Sequence, residues 1–133
     1  MSEGLARRIL VVDDEPDMLL YLSALLEDNG YATVTAADGI EAWEILKTTD
    51  RPDLIILDLR MPRQTGMQLY RTLMAEATLR DIPVVFISGM TFFRLYGEDC
   101  EPLPEPAARL GKPIDPAELL GVLRRTLAGK QGS

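Results

Sequence analysis

Short runs of apolar residues recur along the chain and alternate with segments of helical periodicity. The strand-like runs are Ile9 to Val12, Ala32 to Thr35, Leu54 to Leu57 and Val84 to Ile87, and Ala107 to Leu110 can form a short fifth. The first, third and fourth runs are continuously apolar, which is typical of parallel strands covered on both faces. The alternation predicts a doubly wound α/β sheet with right-handed crossovers.

Apolar residues at helical spacing follow the first, second, third and fifth runs. The predicted inward positions are Met18, Leu22, Leu25 and Leu26; then Ile40, Trp43 and Leu46; then Met67, Tyr70, Met74 and Ala77; and finally Leu119, Leu120, Leu123 and Leu127. Gly30 is suited to a left-handed cap after the first helix, and Asp38 with Glu41 forms a capping-box pattern for the second. Asp115 before a proline opens the last helix, and residues 129–133 are expected to be a disordered tail.

The stretch from Met90 to Pro106 fits this pattern least well. Its beginning, TFFRLY, can start a helix, but Gly97 and the later prolines exclude a long one. We therefore expect an irregular fourth helix before the short fifth strand.

The length of 133 residues predicts a single domain, 1–133, with one core. Lysine and arginine total 14 against 21 acidic residues, a net charge of −7 without a basic stripe, which argues against nucleic-acid binding. No apolar run is long enough to cross a membrane, and the start of the chain lacks a signal-peptide core. A single cysteine, Cys100, fits a reducing compartment, so a cytoplasmic location is expected.

The absence of histidine excludes a catalytic His dyad or triad, a His-bound metal and phosphohistidine within this chain. Any histidine chemistry must come from a partner.

Polar residues stand where the predicted strands end, and ligands of open α/β sheets bind at that edge. The first strand ends in Asp13 and Asp14, the third in Asp58, the fourth in Ser88 and the fifth in Lys112. Clustered carboxylates repel one another unless a cation or a proton offsets them, and magnesium prefers oxygen ligands. The edge therefore looks built to hold a phosphoryl group, with Asp58 as the candidate nucleophile.

Four stretches, ILVVDDEPD, LIILDLRMPRQTG, IPVVFISG and GKP, resemble the receiver domain of two-component response regulators. The resemblance covers residues from about 8 to about 128. It implies a flavodoxin-like parallel sheet of five strands in the order 2-1-3-4-5, with helices on both faces. It also implies a cis Lys112–Pro113 bond, and a receiver that is either stand-alone or cut from a longer protein.

The resemblance assigns a role in phosphorylation to three residues. Asp58 matches the phosphoacceptor, which takes its phosphoryl group from a sensor histidine kinase or a histidine phosphotransfer protein. Ser88 matches the hydroxyl that binds the phosphoryl group, and Lys112 matches the lysine that contacts it. Such a domain assists its own phosphorylation and dephosphorylation without being an enzyme in the ordinary sense.

The same resemblance assigns the metal ligands. Asp14, Asp58 and the backbone carbonyl of Arg60 match the direct ligands of Mg²⁺, for which Mn²⁺ can substitute. Asp13 matches the neighbouring acid, which acts mostly through water. Met61-Pro62 and Gly66 fit as loop geometry, with Gly66 permitting a positive φ before the third helix.

One position departs from the family, which usually has an aromatic switch residue where this chain has Arg109. A guanidinium keeps its charge and resists burial, so we expect Arg109 to stay at the surface in both signalling states. Output is then expected to pass through TFFRLYGEDCEPLPEP, to an unknown downstream protein or to a second copy of the chain, unless Phe92 and Phe93 simply fill the core.

Two other functions compete with a phosphoryl-accepting switch. A phosphohydrolase working through an aspartyl phosphate would carry a second Asp two residues after the nucleophile, where this chain has Arg60. A degenerate receiver would serve as an interaction module alone. A nucleotide-binding fold is disfavoured, because VVDDEPD lacks the glycines of a phosphate-cradling loop.

Overall fold

The computed structural model describes residues 7–48, 51–59, 66–88 and 106–131, with the backbone alone at positions 67, 88 and 129–131. Strands and helices alternate as the sequence predicts. They are β1 (Arg8–Val12), α1 (Pro16–Asp28), β2 (Ala32–Ala36), α2 (Gly39–Thr48), β3 (Leu54–Asp58), α3 (Gly66–Ala75), β4 (Val84–Ser88), β5 (Ala108–Gly111) and α4 (Pro116–Gln131). All neighbouring strands are parallel, and their order is β2-β1-β3-β4-β5. The predicted fold class and strand order are confirmed.

The register of the sheet brings the ends of the strands to one edge. Val12, the last residue of β1, is aligned with Leu57 of β3. At the other side of the sheet, Ser88 of β4 is aligned with Gly111, the last residue of β5. The residues that follow β1, β3 and β5 therefore emerge at the same edge.

In the part of the chain that the structure describes, the core consists of two apolar clusters, one on each face of the sheet. Alternate strand residues supply each cluster because side chains of a strand point to opposite faces in turn. Ile9, Val11, Leu54 and Ile56 pack with α1 and α4, whereas Leu10, Val12, Ile55 and Leu57 pack with α2 and α3. This double cover explains why β1 and β3 are continuously apolar, and each fully buried Leu or Ile contributes roughly 1.5–3 kcal/mol.

An aromatic pair packs α3 against the sheet. Tyr70 of α3 and Phe86 of β4 lie edge to face, with ring centroids 4.8 Å apart and ring planes at 81°. Both side chains are buried.

The predicted helix ends are confirmed at three places. Gly30, just after α1, has a φ of 92°, the left-handed conformation that glycine tolerates best. The backbone N–H of Glu41 donates to Asp38 Oδ1 at 2.7 Å, and Glu41 Oε1 accepts from the N–H of Ala37 at 2.6 Å. At the start of α4 the Ala117 N–H donates to Asp115 Oδ1 at 3.1 Å.

Two predicted core positions are wrong, and the last helix is longer than expected. Ile40 is 55% exposed, because α2 turns Gly39, Ala42 and Leu46 inward and Ile40 is rotated by about 100° from Gly39. Ala77 lies in an exposed turn beyond the end of α3. The helix expected to stop before residue 129 continues to Gln131.

The expected irregular fourth helix falls on residues 89–105, which lie outside the described residues. In the part of the chain that is described, the helices are too short or too polar to traverse a lipid bilayer.

Candidate functional site

Three carboxylates meet at the carboxyl edge of the sheet. Asp13 directly follows β1, and its backbone N–H donates to the carbonyl of Ala36 at 3.1 Å. Asp58 is the last residue of β3; it and Asp13 are buried, at 2% and 0% exposure, whereas Asp14 is exposed. One carboxylate oxygen from each of these three aspartates lies within 4.8 Å of the others. The predicted convergence of Asp13, Asp14 and Asp58 is therefore present.

The ammonium of Lys112 lies among these acids. Lys112 follows β5, and the bond between Lys112 and Pro113 is cis, as the family resemblance implies. Its Nζ is 3.2 Å from Oδ2 of Asp13, 3.2 Å from Oδ2 of Asp58 and 3.3 Å from Oε1 of Glu15. The site thus joins residues at the carboxyl ends of the first, third and fifth strands.

Two opposing effects act on the pKa of Lys112. Partial burial of the ammonium lowers it, but attraction to the carboxylates of Asp58 and Asp13, with a hydrogen bond to Asp58, raises it by more. The net result is a pKa above that of an ordinary lysine. Lys112 is therefore fully charged at neutral pH and offsets part of the charge of the buried acids.

The buried carboxylate of Asp13 is only partly satisfied. Its Oδ1 accepts a hydrogen bond of 2.9 Å from the N–H of Glu15. Its Oδ2 lies within ion-pair distance of Lys112, but within the described residues this contact is too poorly aligned to count as a hydrogen bond. A buried carboxylate oxygen with unused acceptor capacity is unfavourable, and a hard cation or its bound water would satisfy it.

Gly66 holds the start of α3 against the end of β3. A Cβ at this position would overlap the backbone carbonyl oxygen of Asp58 and come within 2.8 Å of Leu59 Cα. The expectation that Gly66 supplies a positive φ is wrong, since its φ lies outside the left-handed region. Glycine is required here because two backbones approach closely, and the backbone of Asp58 is part of that contact.

The remaining predicted site residues are described in part or not at all. The backbone of Ser88 ends β4 at this edge, but its side chain lies outside the described atoms, as does Arg60 with its carbonyl. Arg109, in β5, is exposed, as expected for the state described here.

Sequence reasoning missed the contact of Glu15 with Lys112. The two residues are 97 positions apart, and neither a motif nor a periodicity connects them. The nearest signal is the acidic run at residues 13–15, in which Glu15 reads as one more acid.

Residues 9–100 match the family described as response regulator receiver domain. Response regulator Rre1 of Synechocystis sp. is 38% identical over 130 residues, which are 94% of this chain and 53% of that protein. Protein Rrf1 of Nitratidesulfovibrio vulgaris is 32% identical over 121 residues, which are 91% of this chain and 83% of that protein. The chain thus spans about half the length of Rre1.

Solved structures show the same architecture. The signal receiver domain of a signal transduction histidine kinase from Syntrophus aciditrophicus is 34% identical and superposes with a TM-score of 0.80. The alignment covers 93% of this chain and 92% of that one. A response regulator receiver domain protein from Methanospirillum hungatei, at 22% identity and a TM-score of 0.79, supports the fold alone.

Proposed function

This chain belongs to the response regulator receiver domains of two-component signalling, and from that premise we propose that it accepts a phosphoryl group on Asp58. The observation that carries the proposal is the buried Asp58 carboxylate with the Lys112 ammonium 3.2 Å from its Oδ2. The proposed donor is a phosphohistidine of a sensor histidine kinase or of a histidine phosphotransfer protein. The 133 residues contain no histidine, so a phosphohistidine donor would lie outside this sequence.

In the proposed transfer, a carboxylate oxygen of Asp58 attacks the phosphorus atom of the phosphohistidine. An O–P bond forms as the P–N bond breaks, and the bonding electron pair returns to the imidazole nitrogen of the partner. Asp58 becomes an acyl phosphate, which water later hydrolyses to aspartate and inorganic phosphate. The chain mainly positions the carboxylate and neutralises charge, as phosphoryl transfer requires.

Lys112 supplies fixed positive charge next to the reacting carboxylate. Its ammonium contacts Asp58 and has a raised pKa, so it is cationic at neutral pH. Anionic oxygens of an incoming phosphoryl group would therefore find an ammonium at the site before transfer begins.

The acidic residues fit a divalent cation. Carboxylate oxygens of Asp13, Asp14 and Asp58 lie within 4.8 Å of one another, and Asp13 Oδ2 is buried without a hydrogen-bond partner among the described residues. We propose that Asp14, Asp58 and the Arg60 carbonyl hold Mg²⁺, or Mn²⁺ in its place, with Asp13 acting through water. When bound, the cation would neutralise negative charge on the carboxylates and on the phosphoryl oxygens.

The decisive test is phosphorylation of the purified chain by acetyl phosphate and Mg²⁺. We expect one acid-labile, hydroxylamine-sensitive phosphoryl group per chain, which Asp58→Asn abolishes because an amide cannot form the acyl phosphate. Asp81→Asn, at an exposed position in the turn after α3, is the matched control and should label like the wild type. Intact-mass spectrometry and circular dichroism would measure labelling and fold together.

Three outcomes would contradict the proposal in different ways. Full labelling of Asp58→Asn would move the phosphorylation site elsewhere. A wild-type chain that folds but never labels would favour an interaction module without phosphorylation. Steady hydrolysis of a generic phosphate ester, far beyond one turnover per chain, would favour a phosphohydrolase over a signalling domain.

A further inference from the structure

The side chain of Glu15 does not cap the helix that it precedes. Glu15 is the N-cap residue of α1, with φ −94° and ψ 115°, and its side chain makes no capping hydrogen bond. An acidic side chain at a helix N-terminus is normally stabilised by the free N–H groups and by the helix dipole. Instead, Glu15 Oε1 accepts a hydrogen bond from Lys112 Nζ at 3.3 Å.

The backbone of Glu15 is held in place, although its side chain is in water. The Glu15 N–H donates to the buried Asp13 Oδ1 at 2.9 Å, and its carbonyl accepts from the N–H of Leu19 at 3.1 Å. The side chain itself is 62% exposed. Glu15 therefore contacts Lys112 from a fixed position through a group that water can readily solvate.

Carboxylates surround the ammonium of Lys112 in this state. Its N–H groups donate to Glu15 Oε1 and to Asp58 Oδ2, and Asp13 Oδ2 is an ion-pair partner 3.2 Å from Nζ. A phosphoryl group on Asp58 would bring new anionic oxygens that need one of these donors. Asp13 is fully buried, so losing its cation is costly, whereas the exposed Glu15 can exchange the ammonium for water at little cost.

We propose that Glu15 is a releasable partner of Lys112, which holds the ammonium in the resting state and gives it up when Asp58 carries a phosphoryl group. In this role Glu15 is a positioning residue that acts through Lys112, and the inference rests on the function proposed above. Glu15 then favours the resting state over the phosphorylated state. Removing its charge should strengthen binding of a phosphoryl mimic.

The test measures beryllofluoride affinity at saturating Mg²⁺, with the occupancy of the metal determined separately for each variant. Glu15→Gln should bind beryllofluoride about two- to five-fold more tightly than the wild type, the range expected for loss of one exposed ion pair. Glu15→Asp keeps the charge but is one methylene shorter, so it should bind more tightly as well. Asp17→Asn removes a charge from the exposed first turn of α1 and should leave the affinity unchanged.

A second measurement examines the resting contact without metal or phosphoryl mimic. Hydrogen exchange of the Lys112 ammonium with water, followed by ¹⁵N NMR, should be faster in Glu15→Gln and Glu15→Asp than in the wild type and in Asp17→Asn. Loss of one ion-pair partner frees an ammonium proton, whereas a purely structural role for Glu15 would leave this exchange unchanged.

The outcomes separate the two proposals. Equal tightening by Asp17→Asn and Glu15→Gln would indicate a general effect of negative charge and overturn the role of Glu15. Unchanged exchange of the Lys112 ammonium in both Glu15 variants would overturn it too. Failure of the folded, metal-bound wild type to bind beryllofluoride would overturn the phosphoryl-accepting function, and the release step with it.

Discussion

At the scale of single residues, the positive charge of Lys112 offsets the free-energy cost of burying Asp13 and Asp58. Its side chain is 20% exposed, and it lies 3.2 Å from carboxylate oxygens of both Asp13 and Asp58. Burying carboxylates without a partner is strongly unfavourable. Stability of the fold and the proposed chemistry of the site therefore involve the same ammonium.

Lys112→Met should lower the free energy of unfolding of the metal-free chain by about 1–3 kcal/mol at neutral pH, because two buried acids lose their cation. The pKa of Lys112 is raised in the folded state, so its contribution is complete below the ordinary lysine value of 10.5 and is lost as the pH rises through the raised value. The difference between wild type and variant should stay constant from pH 7 to about 9 and shrink at more alkaline pH. Urea denaturation in a chelating buffer measures it.

Lys47→Met is the matched control for that experiment. Lys47 pairs with Glu44 at 3.3 Å on the surface of α2, with exposures of 48% and 62%. Its removal should change the free energy of unfolding by less than about 1 kcal/mol. Equal losses for Lys47→Met and Lys112→Met would show that Lys112 does not balance the buried acids.

The sequence predicts part of this site, and the reason lies in the strands. The sequence predicts that Asp13, Asp58 and Lys112 lie close together, because they stand at the carboxyl ends of parallel strands and these ends share one edge of the sheet. The contact of Glu15 with Lys112 depends on a rotamer and on the path of the chain after β5. Neither is encoded in a local sequence pattern, so only the three-dimensional structure shows this contact.

At the scale of elements, the contact between the start of α3 and the end of β3 leaves no room for a side chain larger than that of glycine at position 66. Gly66→Ala should lower the free energy of unfolding by about 1–3 kcal/mol, since its methyl group would collide with the backbone of Asp58 and Leu59. The displaced Asp58 should also label more slowly with acetyl phosphate. Thermal unfolding and labelling rates measure the two effects.

Gly121 in α4 supplies the control for that substitution. Among the described residues, a Cβ there would meet only the Nη1 atom of Arg125, at 3.4 Å, which is the far end of a flexible side chain. Gly121→Ala should therefore stabilise the chain by about 0.5–1 kcal/mol through the better helix propensity of alanine. If Gly66→Ala left the free energy of unfolding unchanged, the start of α3 and the end of β3 could move apart without cost.

Helix starts were predicted better than helix faces. Asp38 and Asp115 mark the N-termini of α2 and α4 by specific side-chain chemistry, which survives in the structure as hydrogen bonds. The apolar spacing places Ile40 on the inward face of α2, but α2 has only ten residues. Two or three apolar positions do not determine which face of so short a helix is buried. The close approach at Gly66 links separate elements, so no local propensity indicates it.

At the scale of the whole molecule, the alternation of strand and helix fixed the layered architecture in advance. Continuous apolar runs require cover on both faces, and the structure has one apolar cluster on each face. The order of the strands could not be predicted in this way, because periodicity alone does not say which strands are neighbours. That order came from the resemblance to receiver domains, and the sheet confirms it.

The proposed metal site predicts that divalent cations stabilise the fold, because a cation that binds the folded site and not the unfolded chain favours the folded state. Mg²⁺ at 100 times its dissociation constant would add about 2.7 kcal/mol by mass action and raise the melting temperature. Asp14→Asn should remove most of this shift, whereas Asp17→Asn, exposed in the first turn of α1, should retain it. A melting temperature unaffected by millimolar Mg²⁺ in the wild type would show that the acids do not form a metal site.

The distance in sequence between Lys112 and its partners also sets an order of events during synthesis. Lys112 comes 54 residues after Asp58 and 97 after Glu15, so the ribosome releases the acids well before the ammonium that balances them. At about 5–20 residues per second, the gap after Asp58 is roughly three to ten seconds. A nascent chain in this interval carries Asp13 and Asp58 but not yet Lys112. The ion pairs of Lys112 with these two acids can therefore form only after translation has passed β5.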